Sequence, residues 1–340
     1  HPLQPMEEPR PLRKSPFYEQ ERQLGAVFFE ARGWEVPRWY EANAPLLDVY
    51  HPRERTRWAA RYWSPIAGAE HLATRERVAL FDMTPLPKVE VLGPGALAFL
   101  QRMTTNQLDR PVGSVVYTLM LDGAGGIRSD LTVARLADDR FQIGCNGPLD
   151  YHWLRKHLLD DGHVHLRDVT GALCCIGLWG PRARDVLRPL TDADLSNEAF
   201  PYFAARQIFA GEVPVTALRV SYVGELGWEL YAPAEYGGRL WDLLWQAGQP
   251  HGIIAAGRAA FDALRIEKGY RLWGTDMHTE YNPYEAGLGF AVKLNKGEFI
   301  GREALLRAKE RVTRRLCCLV LDDPDVVVMG KEPALSGDRV

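Results

Sequence analysis

Apolar and polar positions alternate through Ile127-Arg128-Ser129-Asp130-Leu131-Thr132-Val133-Ala134, with Ile127, Leu131 and Val133 on one face. That period of two predicts a half-buried strand, fed by the glycines Gly125-Gly126. A polar turn, Ala137-Asp138-Asp139-Arg140, leads to the return segment Phe141–Asn146. Counting back from that turn sets Asp130 directly or diagonally across from Asn146, on the face shared with Thr132 and Ala134. A second reversal joins Leu218–Tyr222 to Trp228–Tyr231, with Gly224 and Gly227 permitting a tight turn. Centring it between Glu225 and Leu226 predicts that Tyr222 and Glu229 face each other.

The remaining pattern reads as α+β, with antiparallel sheets and flanking helices. A helix is expected at about Glu70–Val78, a strand at Lys88–Leu92, and a helix from Ala96 through Leu100 after Gly93-Pro94-Gly95. A strand ending at Trp179-Gly180-Pro181 opens a helix over Arg182–Leu187, which Pro189 helps to stop. This recurrence of strand, Gly-Pro and helix hints at two similar subdomains. Helix 236–247 places Leu240, Leu243, Leu244 and Ala247 on one core-facing stripe, and Arg258–Lys268 carries Ala260, Leu264 and Glu267 at similar spacing. Residues 15–50 hold Phe17, Tyr18, Phe28, Phe29, Trp34, Trp39 and Tyr40, aromatic area that demands burial on this domain or on a neighbour. Near the end, Arg315–Leu321 and Val326–Met329 read as strands, and Ser336–Val340 as a turn into another. Such a stub is too small to stand as a sheet by itself. Together with the proline-rich start, His1–Lys14, it suggests a piece of a longer polypeptide. The expected organisation is a leader over 1–54, a core over 55–305, and the start of a further β unit over 306–340.

Composition narrows the classes. The 340 residues are 46% hydrophobic and 25% charged, ordinary for a globular protein, and can bury a sizeable core. Lys and Arg number 41 against 44 acids, a net charge of −3, which gives no electrostatic case for nucleic acid or an anionic membrane as main partner. No apolar run reaches the length of a membrane span. The five cysteines, Cys145, Cys174-Cys175 and Cys317-Cys318, form no C-x-x-C pair, so reduced and mostly buried thiols of an intracellular protein are expected.

Candidate chemistry concentrates on the two reversals. A carboxylate on a strand, facing an amide beside glycines, suits acid–base or cation chemistry at Asp130; the plain alternative is a solvated aspartate at a strand end. A tyrosine beside a glutamate suits a flat heterocycle with N–H donors, the ring stacking and the carboxylate accepting; the alternative is a surface cross-strand pair. Glu225, at the expected hairpin tip, reads as solvated. His71 and His278 lack ligand spacing, so no catalytic metal is expected. Gly123-Ala124-Gly125-Gly126 lacks the strand–turn–helix context of a dinucleotide fingerprint, no Walker-type lysine follows, and no serine sits in a Gly-x-Ser-x-Gly elbow.

Several stretches, in order, resemble the glycine-cleavage T-protein (aminomethyltransferase) family. They are Phe81-Asp82-Met83-Thr84-Pro85-Leu86-Pro87-Lys88, Leu100-Gln101-Arg102-Met103-Thr104-Thr105-Asn106, the Gly-Gly-x-x-x-Asp hairpin, Leu178-Trp179-Gly180-Pro181-Arg182-Ala183, Tyr222-Val223-Gly224-Glu225 and Pro283-Tyr284-Glu285-Ala286-Gly287-Leu288-Gly289-Phe290. The resemblance covers roughly 55–320. Ser15-Pro16-Phe17-Tyr18, Gly33-Trp34 and Trp273-Gly274-Thr275-Asp276-Met277 narrow it to the C-terminal half of the dimethylglycine/sarcosine dehydrogenase family. It implies a multi-lobed fold around a central folate channel, with a C-terminal β-barrel only begun here. It further implies tetrahydrofolate as cofactor, with Asp130 beside the folate nitrogens and Tyr117, Tyr222 and Glu229 lining the site, Glu229 on the pterin edge. Leu86 and Asn146 fall at pocket positions. FAD is implied only for an N-terminal flavin region of the same polypeptide, which would supply an amine-derived iminium. The implied function is capture of that one-carbon unit as 5,10-methylenetetrahydrofolate, in the cytoplasm or, in a eukaryote, the mitochondrial matrix. One departure stands out. The T-protein motif Arg-Asp-x-Leu-Arg is here Phe261-Asp262-Ala263-Leu264-Arg265, with Arg258 one helical turn earlier as nearest substitute. That favours the dehydrogenase branch over a stand-alone folate-dependent aminomethyltransferase or demethylase. A non-catalytic folate-binding or assembly domain would show Lys-Gly-Cys-Tyr-x-Gly-Gln-Glu, where this chain reads Lys268-Gly269-Tyr270-Arg271-Leu272-Trp273-Gly274.

Overall fold

The computed structural model describes residues 6, 8–55, 63–159, 161–323, and beyond them 326, 328, 333, 335 and 337. In chain order the leader forms a hairpin of β1 (Ala26–Ala31) and β2 (Trp34–Tyr40). Then come β3 (Val78–Asp82), β4 (Lys88–Leu92), β5 (Val115–Leu121), β6 (Ile127–Ala137), β7 (Arg140–Gly144) and β8 (His165–Asp168). The series ends with β9 (Leu173–Trp179), β10 (Ala205–Ala210), β11 (Val213–Leu218), β12 (Gly227–Pro233) and β13 (Ile253–Ala255). Two main sheets result, one ordered β10-β11-β12-β9-β3-β13 and the other β5-β6-β7-β4-β8. All pairings are antiparallel except β13 with β3.

The period of two sorts side chains onto opposite faces of each sheet. In the six-stranded sheet Val78, Leu80, Ile176, Leu178, Trp228 and Leu230 face one way. They pack with Leu240 and Leu244 of the helix Gly237–Gly248 and with Phe17 and Tyr40 of the leader. Ala79, Phe81, Cys175, Trp179, Leu218 and Tyr231 face the other way. In the five-stranded sheet Val89, Val91, Leu131, Val133, Phe141 and Ile143 pack on Leu100 and Leu154 of the helices Ala96–Met103 and Pro148–Lys156. The opposite face brings Val115 and Ala134 into the cluster with Trp179 and Leu218, so the second faces of both sheets meet. A further cluster of Leu119, Ile127, Met277, Ala286 and Leu288 closes a third side with the segment around 277–292.

The leader wraps this body. Phe17 is fully buried with its ring 5.7 Å from Trp241, and Glu70 receives the Tyr40 N–H, the Asn43 amide and the Gly257 N–H at 2.8–2.9 Å. Both Gly-Pro junctions lead into helices as expected, with Gly93 and Gly180 at φ 110° and 139°. The helix expected near Glu70 begins earlier, at Pro65, because the Ser64 hydroxyl caps it by accepting the Ile66 N–H at 3.2 Å. It stops at Glu76, since Val78 already belongs to β3.

The expected strand Arg315–Leu321 is absent: the segment is irregular and exposed, with no ladder partner among the described residues. Its apolar residues find no sheet among the described residues to bury against, so an apolar run alone does not make a strand. Most of the stretches expected at Val326–Met329 and Ser336–Val340 lie outside the described residues. No closed barrel occurs among the described residues. Cys145, Cys174 and Cys175 are buried free thiols, whereas Cys317 and Cys318 are exposed. No described helix is long and apolar enough to cross a membrane.

Candidate active site

The hairpin β6–β7 pairs Thr132 with Gly144, which carries Asn146 to the position across from Asp130. The Asn146 amide donates to Asp130 Oδ1 at 2.7 Å and to the Asp130 carbonyl at 2.9 Å. On the other flank β5 pairs Tyr117 with Thr132, diagonal to Asp130, and the Tyr117 hydroxyl donates to Asp130 Oδ2 at 3.0 Å. Burial raises the Asp130 carboxyl to about 6, against the opposing pull of these two donors. It therefore titrates where a general base is useful. Tyr117 itself is pushed well up, first by burial and then by Asp130. Its ring stacks on Phe290 at 5.9 Å.

Support comes from behind. Asp150 Oδ2 receives the Ser129 hydroxyl and the Asn146 N–H, both at 2.8 Å, and the Asn146 amide also reaches Ser129 Oγ at 3.0 Å. This buried aspartate near the start of the helix Pro148–Lys156 fixes the residue that orients Asp130. Its signal in the sequence is the N-terminal position of a carboxylate three residues after Gly147.

The second reversal differs from its expectation. Glu229 pairs with Leu218, four residues before Tyr222, so Tyr222 and Glu229 are not a cross-strand pair. β11 ends at Leu218 because the following backbone finds other partners. Ser221 Oγ gathers the N–H groups of Val223, Gly224 and Glu225 at 3.0–3.3 Å, while Trp179 Nε1 and Arg75 take the carbonyls of Val220 and Val223. Glu225 is not free in solvent either, since Arg75 pairs with it at 2.7 Å.

Tyr222 nonetheless enters the site by another route. Its ring stacks on Phe261 at 5.3 Å and 21°, its hydroxyl donates to the Arg271 carbonyl, and Asp130 lies close enough to help hold its pKa up after burial does so first. Leu86 packs against the same cluster. Glu229 stands farther along the facing sheet, where Tyr231, two residues on and on the same face, donates to its Oε2 at 2.5 Å. Oε1 has no hydrogen-bond partner among the described residues. Burial raises Glu229, and Tyr231 and then Lys88 pull it down.

Lys88 is the member that sequence reasoning missed. On β4 it alternates with Val89 and Val91 and so reads as solvent-facing, but the second sheet covers that face and leaves it 1% exposed. Removing an ammonium from water costs several kcal/mol. Bonds of 2.7 Å to the Thr84 and Leu86 carbonyls, with Asp82 and Glu229 in electrostatic reach, offset that cost. Among the described residues, no three or more His, Cys, Asp or Glu residues cluster so as to hold a metal.

The sequence pattern of the GCVT N-terminal domain matches residues 17–296. The chain belongs to that family. It is 37% identical over 316 residues to human mitochondrial dimethylglycine dehydrogenase, covering 91% of this chain and 36% of that protein. It is 34% identical to the aminomethyltransferase of Chloroherpeton thalassium, over 97% of this chain and 85% of that one. Among solved structures, the glycine cleavage system aminomethyltransferase T from Bartonella henselae superposes with a TM-score of 0.71 at 27% identity, covering 88% of this chain and 75% of that chain. The GCVT region thus spans little more than a third of the human relative's length. Its α+β fold is that of the aminomethyltransferase T-protein, and it is related in sequence to both the dehydrogenase and the transferase.

Proposed function

We propose that this GCVT region is the tetrahydrofolate-dependent one-carbon acceptor of an N-methylglycine-type dehydrogenase or oxidase. Its product would be 5,10-methylenetetrahydrofolate, made from an iminium delivered by a flavin region of the same polypeptide. The observation that carries the reading is Asp130, held between Tyr117 and Asn146 and titrating at about 6. The remaining groups fit a reduced pterin with its N–H edge. Glu229 offers a part-buried carboxylate with one unused oxygen, and Tyr222 on Phe261 offers an aromatic wall beside Leu86.

When bound, tetrahydrofolate would supply the nitrogen nucleophile that accepts the carbon. Asp130, ionised above about pH 6, would stabilise the cationic iminium and take the proton released as the first folate nitrogen bonds to the methylene carbon; returning it to the amine nitrogen would let the free amine depart as the second folate nitrogen bonds to that carbon and loses its own proton. Asn146 and Tyr117 would keep its oxygens oriented. Enclosure between the two sheets would keep water from hydrolysing the iminium to formaldehyde.

Asp130→Asn keeps the shape of the site and removes the base. Tetrahydrofolate should then bind within about twofold of the parent, while methylene transfer falls by about 10²-fold or more in the full-length protein that supplies the iminium. Formaldehyde should appear in its place, and an unchanged yield of methylenetetrahydrofolate would refute the role. A second reading, a stand-alone aminomethyltransferase, is favoured by the 85% coverage of the Chloroherpeton protein. It expects the same Asp130 chemistry without a flavin, so transfer that proceeds with no flavin region present would select it.

A further inference from the structure

Arg75, near the end of the helix Pro65–Glu76, commits its whole guanidinium to two segments distant in the chain. Nη1 donates to the Val223 carbonyl at 2.6 Å and to Glu225 Oε1 at 2.7 Å, both in the reversal that carries Tyr222. Nη2 donates to the Leu264 carbonyl at 3.0 Å and to Glu267 Oε2 at 2.9 Å, and Nε reaches that same oxygen at 3.2 Å. Leu264 and Glu267 belong to the last turn of the helix Arg258–Glu267, which carries Phe261. The last carbonyls of a helix have no partner within it and favour a cation, so a guanidinium suits this end. The Arg75 side chain is only 19% exposed, so its bonds are not those of a freely solvated surface pair.

These bonds bear on the aromatic wall. Tyr222 lies between two anchored carbonyls, Val220 held by Trp179 Nε1 at 2.8 Å and Val223 held by Arg75. Its ring stacks on Phe261 at 5.3 Å, one helical turn before the Leu264 carbonyl that Arg75 also holds. Tyr270, with its ring 5.7 Å from that of Tyr222, hangs from the same helix end, its N–H donating to the Arg265 carbonyl at 3.0 Å. One planar group therefore ties the backbone beside one ring of the stack to the helix that carries the other. An ammonium cannot substitute, because its three donors radiate from one point, whereas the guanidinium presents a rigid planar fork.

We infer that Arg75 is a positioning residue for the folate site, setting the Tyr222 ring on Phe261 from outside the pocket. The inference rests on the reading of Tyr222 and Phe261 as a wall of that site. Without the fork the reversal moves relative to the helix, and a flat heterocycle meets a wall at the wrong spacing. Binding then weakens, while Asp130, on the other sheet and held by Tyr117 and Asn146, keeps its chemistry.

The test is calorimetric titration of the full-length protein with tetrahydrofolate, in a double-mutant cycle of Arg75→Lys with Tyr222→Leu. Arg75→Lys keeps the charge and loses the fork, and should weaken binding about tenfold in the parent background. In the Tyr222→Leu background the same change should weaken it less than about twofold, because no ring is left to place. In methylene transfer, Arg75→Lys should raise KM for tetrahydrofolate about tenfold with kcat within about twofold and the acid limb unmoved, whereas a general loss of structure lowers kcat as well. Glu225→Gln leaves the other bonds of Arg75 in place and should weaken binding about threefold, with the same dependence on Tyr222. Hydrogen exchange of residues 220–226 without ligand is a folate-independent readout and should be faster in Arg75→Lys. Faster exchange with no tetrahydrofolate bound by the parent overturns the folate reading alone and leaves Arg75 as the clamp of the Tyr222–Phe261 stack. Equal losses in both backgrounds, an unchanged affinity, or unchanged exchange overturns the assignment of Arg75.

Discussion

Asp130 and Glu229 stand on facing sides of two sheets, and the protein holds their carboxylates in opposite ways. Asp130 has each oxygen bonded to a side chain from a neighbouring segment, Tyr117 on one side and Asn146 on the other. Glu229 has one oxygen bonded to Tyr231 and the other unused, with the buried ammonium of Lys88 in electrostatic reach. The first arrangement fixes geometry and leaves the proton free to come and go near pH 6. The second sets a positive charge near a carboxyl that burial still raises, and leaves an acceptor open. Burial raises both carboxyls, so it is the identity of the partners that separates a proton carrier from a hydrogen-bond anchor.

The backbones beneath them differ too. Gly227, at φ 151°, begins β12 where a Cβ would stand 1.9 Å from the Leu178 carbonyl oxygen. Gly227→Ala should therefore force β12 away from β9 and cost about 4 kcal/mol, read as a lowered urea midpoint. A midpoint equal to the parent would mean that this close approach does not set the position of Glu229. Next in size, Glu229→Gln removes the charge from the open acceptor and should weaken tetrahydrofolate binding by roughly 2 kcal/mol, about thirtyfold, in a calorimetric titration. Methylene transfer at saturating folate should change little, in contrast to Asp130→Asn; an equal loss in both would erase the division of labour.

Asn146→Ala removes a donor that favours the ionised form of Asp130, so its pKa should rise above about 6. The acid limb of the rate profile should move to higher pH by up to about one unit. The accompanying stability effect has a definite sign. Because Asp130 sits above its ordinary 3.8, its contribution to folding is fully present below that value and is lost as pH rises through about 6. An acid limb unmoved in Asn146→Ala would show that another group controls it. The smallest effect is expected at Gly144, paired with Thr132, where a Cβ would meet nothing closer than 3.9 Å. Gly144→Ala should shift stability by less than about 1 kcal/mol and leave the β6–β7 register intact.

The two reversals also show what can be read from a chain. The Asp130 hairpin has a short polar turn, but its register shifts between Arg135 and Ala137: counting straight from Ala137 and Arg140 sets Asp130 opposite Gly147, and the shift brings its neighbour Asn146 there instead. The reversal before Glu229 has two glycines to turn on, but Ser221, Trp179 and Arg75 capture its backbone and end the ladder at Leu218. Two of those three residues are remote in sequence, so no count from the turn could include them. Lys88 was hidden for a related reason, because alternation says which face a residue shares but not what covers that face. The expected strand at Arg315–Leu321 failed from the other side, having an apolar run but no sheet beside it among the described residues.

Local sequence determined most of the elements, the two Gly-Pro junctions and the neighbourhood of Asp130 and Asn146 on one hairpin, since each depends on backbone preference and on neighbours within a turn. The meeting of the two sheets was decided only by tertiary structure. It buried Lys88 and moved Tyr222 from a cross-strand partner to an aromatic wall. Those contacts join segments far apart in the chain, and their energies depend on which surfaces close over which charges.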